Sequence, residues 1–595
     1  MTSSVYPMSL EALATAYRAD ADPVTVISAV YERIAEHADP ALFIHLIPKA
    51  EAIAAATALR GRDRTVLPLF GVPFVIKDNI DLAGIPTTAG CPSFAYVPKI
   101  SATAVEKLIA AGAIAIGKTN LDQFATGLVG VRSPYGVPRN PLDESIIPGG
   151  SSSGSACAVA AGLVTFALGT DTAGSGRVPA AMTNIVGLKP TCGLVSTTGV
   201  VPAVRSLDCV SIFSGCVADA RAVLKCIAGF DPSDAFSRKP QPAQPAAALL
   251  RVGIPTAAVL DICTPAIRSA FTSACDHLRA LGHSIVEIDF APFAESAKSL
   301  YGGAWVAERS AAVGEFIADH ANDCHAVVRD IILAGRSATA VAAHRDRYQL
   351  MELRRAADAI WSHMDIMLLP TVPDYPTVAE VLSDPIARNS RLGTFTNFAN
   401  LLDTAAITVP VGPLTNTLHA SVTLFAPAWN DSLIAELGAA LHARAGIGIG
   451  SDRQSLIPTA NTNFSGNGVA LAVVGAHLSG QPLNHQLVTL GARLEQTTTT
   501  AALYRLFHLP TTPAKPGLIR VKDGGLSIEV EVWRLSETAF GRFVAAIPAP
   551  LGIGRLTLID GREVSGFICE PYAVSGCTDI TAHGGWRAFR KATGI

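Results

Sequence analysis

The sequence predicts an α/β fold, in which a mixed β-sheet is covered by helices, followed by a small C-terminal α+β domain. Helical and strand-like patterns alternate over roughly the first 440 residues. A stretch rich in Gly, Ser, Asn and Thr, Ala445–Gly468, then interrupts all periodicity. Beyond it, alternating strands and tight turns replace the earlier pattern. We therefore expect a large domain at 1–445, a linker at 446–467 and a small domain at 468–595.

The large domain carries helices and short apolar strands in turn. Apolar residues recur every three to four positions across Leu10–Glu36, which predicts a helix. Leu69–Ile76 and Ala113–Ile116 are short apolar runs that predict strands, with a helix at Ala102–Ala111 between them. The Ala-rich segment Ala156–Gly162 predicts a further helix. Alternation of this kind favours a mixed or parallel sheet with helices on both faces.

The small domain begins a different pattern. Ser527–Val532 alternates apolar residues with two glutamates, which predicts a half-buried strand. Arg555–Ile559 and Val564–Ile568 flank an Asp560-Gly561 pair, and this is typical of a β-hairpin.

Composition excludes several classes of function. The 595 residues are 49% hydrophobic and 16% charged, with a net charge of −3, so no global field attracts nucleic acid or an anionic membrane. No apolar stretch approaches the roughly 20 residues of a membrane-spanning helix. The N-terminus lacks a secretory signal pattern. The eleven cysteines show no metal-ligand spacing. We expect free, mostly buried thiols in a cytoplasmic protein without a metal site.

Lys77 ends the apolar run of Gly71–Asp78. A lysine in this place is either solvated at the end of a strand or drawn into the protein. If it is buried, loss of solvation lowers the pKa of its ammonium group. It would then serve as a general base near neutral pH.

A serine-rich loop, Pro148–Ser155, runs directly into the Ala-rich helix and contains Ser151. Two other interpretations are a flexible Gly/Ser linker and a phosphate-binding loop. Linkers rarely lead straight into an apolar helix, and the Gly-Lys-Ser/Thr ending of a phosphate loop is missing.

Gly169–Ala180 places Ser175 between two glycines, so that its hydroxyl can be exposed on a tight turn. The peptide N–H groups of four successive residues could converge there as an oxyanion hole. These residues are Thr172, Ala173, Gly174 and Ser175. An ordinary Gly-rich turn is the alternative.

Taken together, these segments resemble the amidase signature family of Ser–Ser–Lys amidohydrolases. Other matching pieces are Gly112–Asn120, Phe124–Gly127, Tyr135–Pro141, Gly187–Gly193 and Asn397–Pro410. The resemblance implies that Ser175 is the nucleophile, Ser151 a bridging serine on a cis peptide bond, and Lys77 the base. Arg177 and Asp171 are expected to pair beneath the loop rather than touch substrate. Ser153 replaces a glycine that is common in the family.

The small domain resembles the C-terminal domain of allophanate hydrolases, in segments that include Gly475–Leu487 and Asp579–Trp586. The resemblance implies a small anionic ureide, allophanate, as substrate. It implies that Tyr301 and Arg309 bind this substrate, and that Gly127 lies near the leaving amide. Eight residues on one helix make about two turns, so both side chains would share a face. A surface arginine and a core tyrosine are the alternative.

The same resemblance links the small domain to decarboxylation of the first product. His477, His485 and Glu570 are its candidate residues, and a γ-glutamyl cyclotransferase-like fold is expected. Structural histidines and a role in assembly are the alternatives.

Two other functions remain open at this point: a broader amidase acting on aliphatic or acidic amides, and a non-catalytic docking scaffold. We expect no cofactor, no nucleic-acid partner and no membrane partner. We expect a homodimer, supplied with substrate by a separate urea carboxylase or another ureide-producing enzyme.

Overall fold

A computed structural model describes residues 9–241, 249–451 and 468–594. The chain divides into two compact units, which are treated separately below. The predicted linker, 446–467, lies outside the described residues from position 452 onward. Within the described ranges, no helix is long and apolar enough to cross a membrane.

The large unit contains the first seventeen helices and eleven strands of the described chain. The strands are β1 (Phe43–Leu46), β2 (Pro73–Lys77), β3 (Ile114–Thr119), β4 (Phe166–Thr170), β5 (Val186–Lys189), β6 (Val210–Ser214), β7 (Arg251–Pro255), β8 (Ser284–Ile288), β9 (Ile366–Pro370), β10 (Thr404–Pro413) and β11 (His419–Pro427). The helices are α1 (Leu10–Arg18), α2 (Pro23–His37), α3 (Lys49–Ala58), α4 (Thr103–Ala110), α5 (Ser153–Ala160), α6 (Val178–Met182), α7 (Val217–Ile227), α8 (Ala257–Leu260), α9 (Pro265–Ala280), α10 (Ala291–Gly302), α11 (Trp305–Asp319), α12 (Ala326–Ala334), α13 (Ala340–Trp361), α14 (Val378–Ser383), α15 (Ala387–Leu392), α16 (Phe398–Leu401) and α17 (Asp431–Ala445).

All eleven strands form one sheet in the order β1-β3-β2-β4-β6-β5-β10-β11-β9-β7-β8. The strands β3, β2 and β4 run parallel, as do β9, β7 and β8, and the remaining neighbours are antiparallel. The predicted mixed sheet is therefore confirmed. Because the carboxyl ends of parallel strands share one edge, the loops that follow β2, β3 and β4 begin at the same edge of the sheet.

The helical spacing of Leu10–Glu36 is confirmed, but the segment forms two helices, α1 and α2, rather than one. Asp20 adopts a left-handed conformation with φ 61°, which no helix interior accepts. The Asp22 side chain then accepts a hydrogen bond from the amide of Val24 at 3.1 Å and caps the second helix. Pro23 occupies the first turn of that helix, where its missing N–H carries no cost. The apolar spacing continues across the break, so periodicity alone does not reveal it.

The small unit contains eight strands and three helices among its described residues. They are β12 (Val469–Val473), α18 (Asn484–Thr489), β13 (Arg493–Thr499), β14 (Tyr504–Leu509), β15 (Lys515–Arg520), β16 (Glu529–Leu535), α19 (Glu537–Ala545), β17 (Leu551–Thr557), β18 (Glu563–Cys569), β19 (Thr578–Asp579) and α20 (Trp586–Thr593). The first sheet has the order β13-β16-β12-β18-β17 and the second β15-β14-β19. The predicted hairpin is confirmed, because β17 pairs with β18 across a turn at Gly561, which has φ 84°.

Strand β16 departs from the predicted half-buried pattern. Ile528, Val530 and Val532 are buried as expected, but Glu531 on the other face is also only 2% exposed. Its carboxylate accepts hydrogen bonds from the amide of Ser479 at 2.8 Å and from Arg587 at 2.5 Å. The alternation of apolar and polar residues therefore predicted the strand correctly. It wrongly predicted that the glutamate face is exposed, because an ion pair permits burial of a glutamate.

Candidate active site

Lys77 is buried at the carboxyl end of β2, with 0% exposure, so the solvated alternative is wrong. Its Nζ donates to Ser151 Oγ and to Thr170 Oγ1, both at 2.7 Å. Burial lowers the pKa of Lys77 to about 7, against the opposing charge of nearby carboxylates, Asp122 foremost. A large fraction of the amine is therefore uncharged near neutral pH.

Ser151 lies just before α5 and follows a cis peptide bond to Gly150, as the resemblance implied. Its carbonyl oxygen accepts from the amide of Asp122 at 3.0 Å. A Cβ at position 150 would collide with the Asp122 carboxylate and with the backbone of Gly130. Glycine at 150 thus lets the loop that follows β3 approach the backbone beside the serine.

Ser175 lies on the turn that follows β4 and is 3% exposed. Gly174 before it has φ +148°, and an added Cβ there would meet the Thr396 hydroxyl. The Ser175 hydroxyl donates a long hydrogen bond, 3.5 Å, to the carbonyl oxygen of Gly127. Among the described residues, no hydrogen bond joins the hydroxyls of Ser151 and Ser175. The structure thus pairs Lys77 with Ser151 directly and directs Ser175 towards Gly127.

Four successive peptide N–H groups on this turn donate to no protein acceptor in the described ranges. They belong to the residues predicted as an oxyanion hole, Thr172, Ala173, Gly174 and Ser175. All four residues are buried. Buried N–H groups without a partner are rare in folded proteins, so a run of four is a ready site for a negatively charged oxygen.

An ion pair supports the turn from below. Arg177 donates to both oxygens of Asp171 at 2.9 Å, and both side chains are 0% exposed. Its remaining terminal nitrogen donates to the carbonyl of Thr396 at 3.1 Å. Although burial opposes it, the charge of Arg177 lowers the pKa of Asp171. The predicted pairing is confirmed, and it leaves no guanidinium nitrogen of Arg177 without a protein acceptor.

Tyr301 and Arg309 lie on two different helices, so their expected position on one helical face is wrong. Helix α10 ends at Gly302, Gly303 is extended with φ −118° and ψ −165°, and α11 begins at Trp305. The two side chains nevertheless meet, because the Arg309 guanidinium carbon lies 5.1 Å from the centre of the Tyr301 ring. A break between the helices, rather than helical spacing, brings them together.

Arg309 is 1% exposed, so it is not a surface arginine. Its Nη1 donates to Thr126 Oγ1 at 3.2 Å, while Nε and Nη2 have no hydrogen-bond partner. No carboxylate of the described chain lies within ion-pair distance of it. A buried cation without a counter-ion costs several kcal/mol, on the order of 3–5 where a pair has been broken. The site therefore suits a small anion with two acceptor oxygens.

Gly127 is required by its own loop, and its place near the leaving amide stays a prediction. An added Cβ would lie 2.6 Å from the Asp122 carboxylate, and φ is +158°. That carboxylate also accepts from the amides of Val129, Gly130 and Arg132 at 2.9–3.2 Å. The glycine thus preserves the loop that follows β3 and presents its carbonyl to Ser175.

Among the described residues of the small unit, the candidate His477 lines a small cavity. His477 is half-buried, stacks on Phe567 with 5.2 Å between ring centres, and lies beside Lys515 in that cavity. Burial lowers the pKa of His477. His485 and Glu570 are exposed and lie outside the cavity.

Comparison with known proteins places the chain in a family. Residues 25–434 match the Amidase family model. The chain belongs to the amidase family. Residues 469–591 match the model of the allophanate hydrolase C-terminal domain. The resemblance drawn from the sequence motifs is therefore confirmed.

Individual relatives of this amidase cover different parts of the chain. A urea amidolyase of Saccharomyces cerevisiae is 41% identical over 570 residues, which are 92% of this chain and 31% of that protein. The chain thus spans about a third of the length of the urea amidolyase. The solved structure of Kluyveromyces lactis allophanate hydrolase is 38% identical with a TM-score of 0.76, covering 98% of this chain and 99% of that one. One glutamyl-tRNA(Gln) amidotransferase subunit of Chloroflexus aggregans is 36% identical, over 62% of this chain and 82% of its own.

Four residues of this amidase site escaped the sequence reasoning. Thr170 holds the amine of Lys77, Thr126 contacts Arg309, Asp122 organises the loop around Gly127, and Asp208 accepts from the hydroxyl of Thr172. A signal existed for two of them. Asp122 and Thr126 are, with Gln123, the polar residues of the otherwise apolar stretch 121–131, which begins a few residues after a predicted strand.

Proposed function

We propose that this amidase hydrolyses allophanate (N-carboxyurea) and releases ammonia. The observation that carries the proposal is the Arg309 guanidinium, which is buried with two unpaired nitrogens. Allophanate offers a carboxylate for those nitrogens and an amide for Ser175. The name of the Kluyveromyces lactis relative, whose whole chain is matched, supports the same substrate.

The catalytic cycle begins with proton transfer across the serine pair. With substrate bound, the Ser175 hydroxyl turns from the Gly127 carbonyl to Ser151, whose own proton passes to the uncharged amine of Lys77. Ser175 Oγ then attacks the terminal amide carbonyl. The N–H groups of 172–175 stabilise the oxyanion, and removing one such donor typically costs about 10²–10³-fold in rate.

The second half of the cycle releases both products. Lys77 returns the proton through Ser151 to the leaving nitrogen, and ammonia departs from the acyl-enzyme. Water, deprotonated by the same route, attacks the acyl carbonyl and yields N-carboxycarbamate. Arg309 holds the carboxylate throughout and aligns the amide with Ser175.

A substrate comparison tests the proposal. Ammonia release is measured from allophanate, from biuret and from propionamide, with Ser175→Ala as the blank. Biuret matches allophanate in length but carries a second amide in place of the carboxylate. We expect allophanate to be preferred over biuret by at least about 10²-fold, the contribution of charged hydrogen bonds. Equal rates on all three compounds would instead favour the broader amidase.

For the small unit, we propose assistance in the decarboxylation of N-carboxycarbamate, with His477 as the acting residue. His477 and Lys515 lie together at one small cavity, where the ammonium group of Lys515 would attract a dianionic carbamate. His485 and Glu570 lie outside it and are not proposed to act there. The expected likeness to γ-glutamyl cyclotransferases stays a prediction.

Assembly and supply of substrate belong to the same proposal. We propose a cytoplasmic homodimer that receives allophanate from a separate urea carboxylase or another ureide-producing enzyme. Light scattering on the purified protein tests the first part. A mass of twice that of one chain is expected, and a monomer would refute it.

A further inference from the structure

A second buried lysine lies at the end of strand β5, outside the proposed catalytic residues. Lys189 is 0% exposed, and its Nζ donates to the carbonyl of Pro190 at 2.9 Å. In the described chain, no carboxylate lies within ion-pair distance of this amine. Its other neighbour is the sulfur of Cys192, 3.7 Å away. A fully buried ammonium ion thus has a cysteine sulfur as the nearest atom able to carry negative charge.

A second cysteine completes the group. The Cys209 sulfur lies 3.2 Å from the carbonyl oxygen of Pro190, the same oxygen that Lys189 contacts, and its single S–H donates either to that oxygen or to the neighbouring Cys192. Cys209 is 2% exposed, whereas Cys192 is partly exposed. The more exposed of the two cysteines is therefore the one next to the lysine.

Protonation in this group follows from the contacts. The hydrogen bond from Cys209 and the charge of Lys189 lower the pKa of Cys192 to about 7, against the effect of burial. Burial raises the pKa of Cys209 well above its usual value, which keeps that thiol protonated. Arg238 and Asp403 are the other charged groups near Cys192, and they pair with each other at 2.8 Å.

We propose that Cys192 is a reactive thiolate, stabilised by Lys189, and that it forms with Cys209 a dithiol site modified by electrophiles and by hydroperoxides. The Cys192 thiolate attacks the terminal oxygen of a hydroperoxide ROOH, the O–O bond breaks, and a sulfenic acid and RO⁻ result, which is hydroxide when the oxidant is hydrogen peroxide. The Cys209 thiol then displaces the sulfenic oxygen as water and leaves a Cys192–Cys209 disulfide.

The dithiol site contacts the residues that hold the turn of the proposed nucleophile, Ser175. The carbonyl of Cys209 accepts from the amide of Asp171 at 2.8 Å, and the neighbouring Asp208 accepts from the hydroxyl of Thr172. A disulfide at 209 therefore acts on the turn that carries the four unpaired N–H groups, and we expect oxidation to lower the rate of amide hydrolysis.

Alkylation of the intact chain tests the thiolate. The protein receives short pulses of iodoacetamide between pH 5.5 and 9, and labelling of each cysteine is read by peptide mass spectrometry. Cys226 is the internal control, because it is also partly exposed and burial raises its pKa. We expect Cys192 labelling to reach half its maximum near pH 7 and to exceed that of Cys226 at this pH by at least about tenfold. If labelling of Cys192 increases only over the same pH range as labelling of Cys226, the proposal is overturned.

Variants at Lys189 test the cause. Lys189→Met should move the Cys192 profile to higher pH, whereas Lys189→Arg, which keeps the cation, should leave it nearly in place. Circular dichroism checks that both variants are folded. If the Lys189→Met protein is folded and its Cys192 is labelled over the same pH range as in the wild type, Lys189 does not stabilise the thiolate. If this variant does not fold, the pH dependence of Cys192 labelling in the wild-type protein still tests the proposal.

Hydrogen peroxide tests the second step. The wild-type protein should yield a Cys192–Cys209 cross-linked peptide and lose activity, and dithiothreitol should restore both. Cys209→Ser should stop at a sulfenic acid that dimedone captures on residue 192. Absence of the cross-linked peptide would overturn the disulfide step. If peroxide lowers the activity of Cys192→Ser as much as that of the wild type, the link between this disulfide and the rate is overturned.

Discussion

The two units of this amidase differ in their buried charges, because the large unit leaves two buried cations unpaired beside buried ion pairs such as Arg177–Asp171. In the large unit, Lys77 and Arg309 are buried without a carboxylate partner in hydrogen-bond reach. In the small unit, the buried carboxylates are paired, Glu531 with Arg587 at 2.5 Å and Glu495 with Arg534 at 2.6 Å. Pairing makes a buried charge tolerable but leaves it nothing further to bind. Unpaired groups destabilise the free protein, which is why they indicate a place for substrate.

The candidate catalytic groups of the two units also differ in whether they already have a hydrogen-bond partner. The groups proposed for catalysis in the large unit lie at the end of a strand and on the loops that follow strands, and four N–H groups there have no acceptor within the described ranges. In the small unit, His477 is already bonded to Gln486 at 2.9 Å, and His485 to the carbonyl of Pro482 at the same distance. We therefore expect mutations in the large unit to affect amide hydrolysis far more strongly than those in the small unit.

The largest effect is expected from Ser175→Ala. It removes the nucleophile from a turn whose backbone is held by Asp171 and Arg177, so the fold should persist. We expect kcat for ammonia release to fall by about 10⁴-fold or more. Ser153→Gly, which installs the commoner family residue in the neighbouring loop, is the control and should retain activity. Substantial turnover by Ser175→Ala would exclude Ser175 as the nucleophile.

Lys77→Met should cause a comparable loss, and the wild-type pH profile should show why. The pKa of Lys77 is lowered to about 7, and a base must be unprotonated. The kcat/KM for a neutral amide such as biuret should therefore fall about tenfold per pH unit below 7 and level off above it. A profile that is flat from pH 5 to 8 would contradict a role for Lys77 as base.

Sequence patterns predicted the fold class, and they also named the residues that we propose for catalysis, because local motifs encode both. Gly174 is confined to a turn with positive φ, and the run before Lys77 is recognisable as a strand in isolation. Burial of Lys77 was left open, since it depends on β3 and β4, which cover its strand from both sides.

Errors arose where distant contacts or caps decide the outcome. Leu10–Glu36 breaks at a cap that apolar spacing does not reveal. Tyr301 and Arg309 meet across a helix break, and Glu531 is buried by Arg587, 56 residues away in sequence. Thr170 was missed because its role is a contact with Lys77, 93 positions earlier.

Arg309→Ala should have the next largest effect, and one that depends on the substrate. Two charge-assisted hydrogen bonds to the carboxylate are worth about 1.5–3 kcal/mol each. We expect kcat/KM for allophanate to fall by about 10²–10⁴-fold, mainly through KM, and for biuret by less than about tenfold. Steady-state kinetics with both substrates measure the difference. Equal losses would mean that Arg309 supports the fold rather than the carboxylate.

Tyr301→Leu should weaken binding more modestly. The ring lies 5.1 Å from the guanidinium carbon of Arg309, and such a contact is worth about 0.5–2 kcal/mol. We expect KM for allophanate to rise by about 2- to 30-fold with little change in kcat. Tyr301→Phe, which keeps the ring, should retain most of the affinity. If Phe is as damaging as Leu, the hydroxyl, and not the ring, does the binding.

His477→Gln should leave ammonia release from the first step unchanged within about twofold, because the residue belongs to the small unit and not to the proposed catalytic site. We expect it instead to slow the conversion of N-carboxycarbamate, so that ¹³C NMR with labelled allophanate shows the dianion accumulating. His485→Gln, an exposed histidine outside the cavity, is the matched control and should behave as wild type. Carbamates of this type also lose carbon dioxide unaided, so the comparison rests on the difference between the two variants. If His477→Gln clears the dianion as fast as His485→Gln does, the cavity beside Lys515 has no part in decarboxylation. If His477→Gln reduces the first step as strongly as Arg309→Ala, the contrast between the two units fails as well.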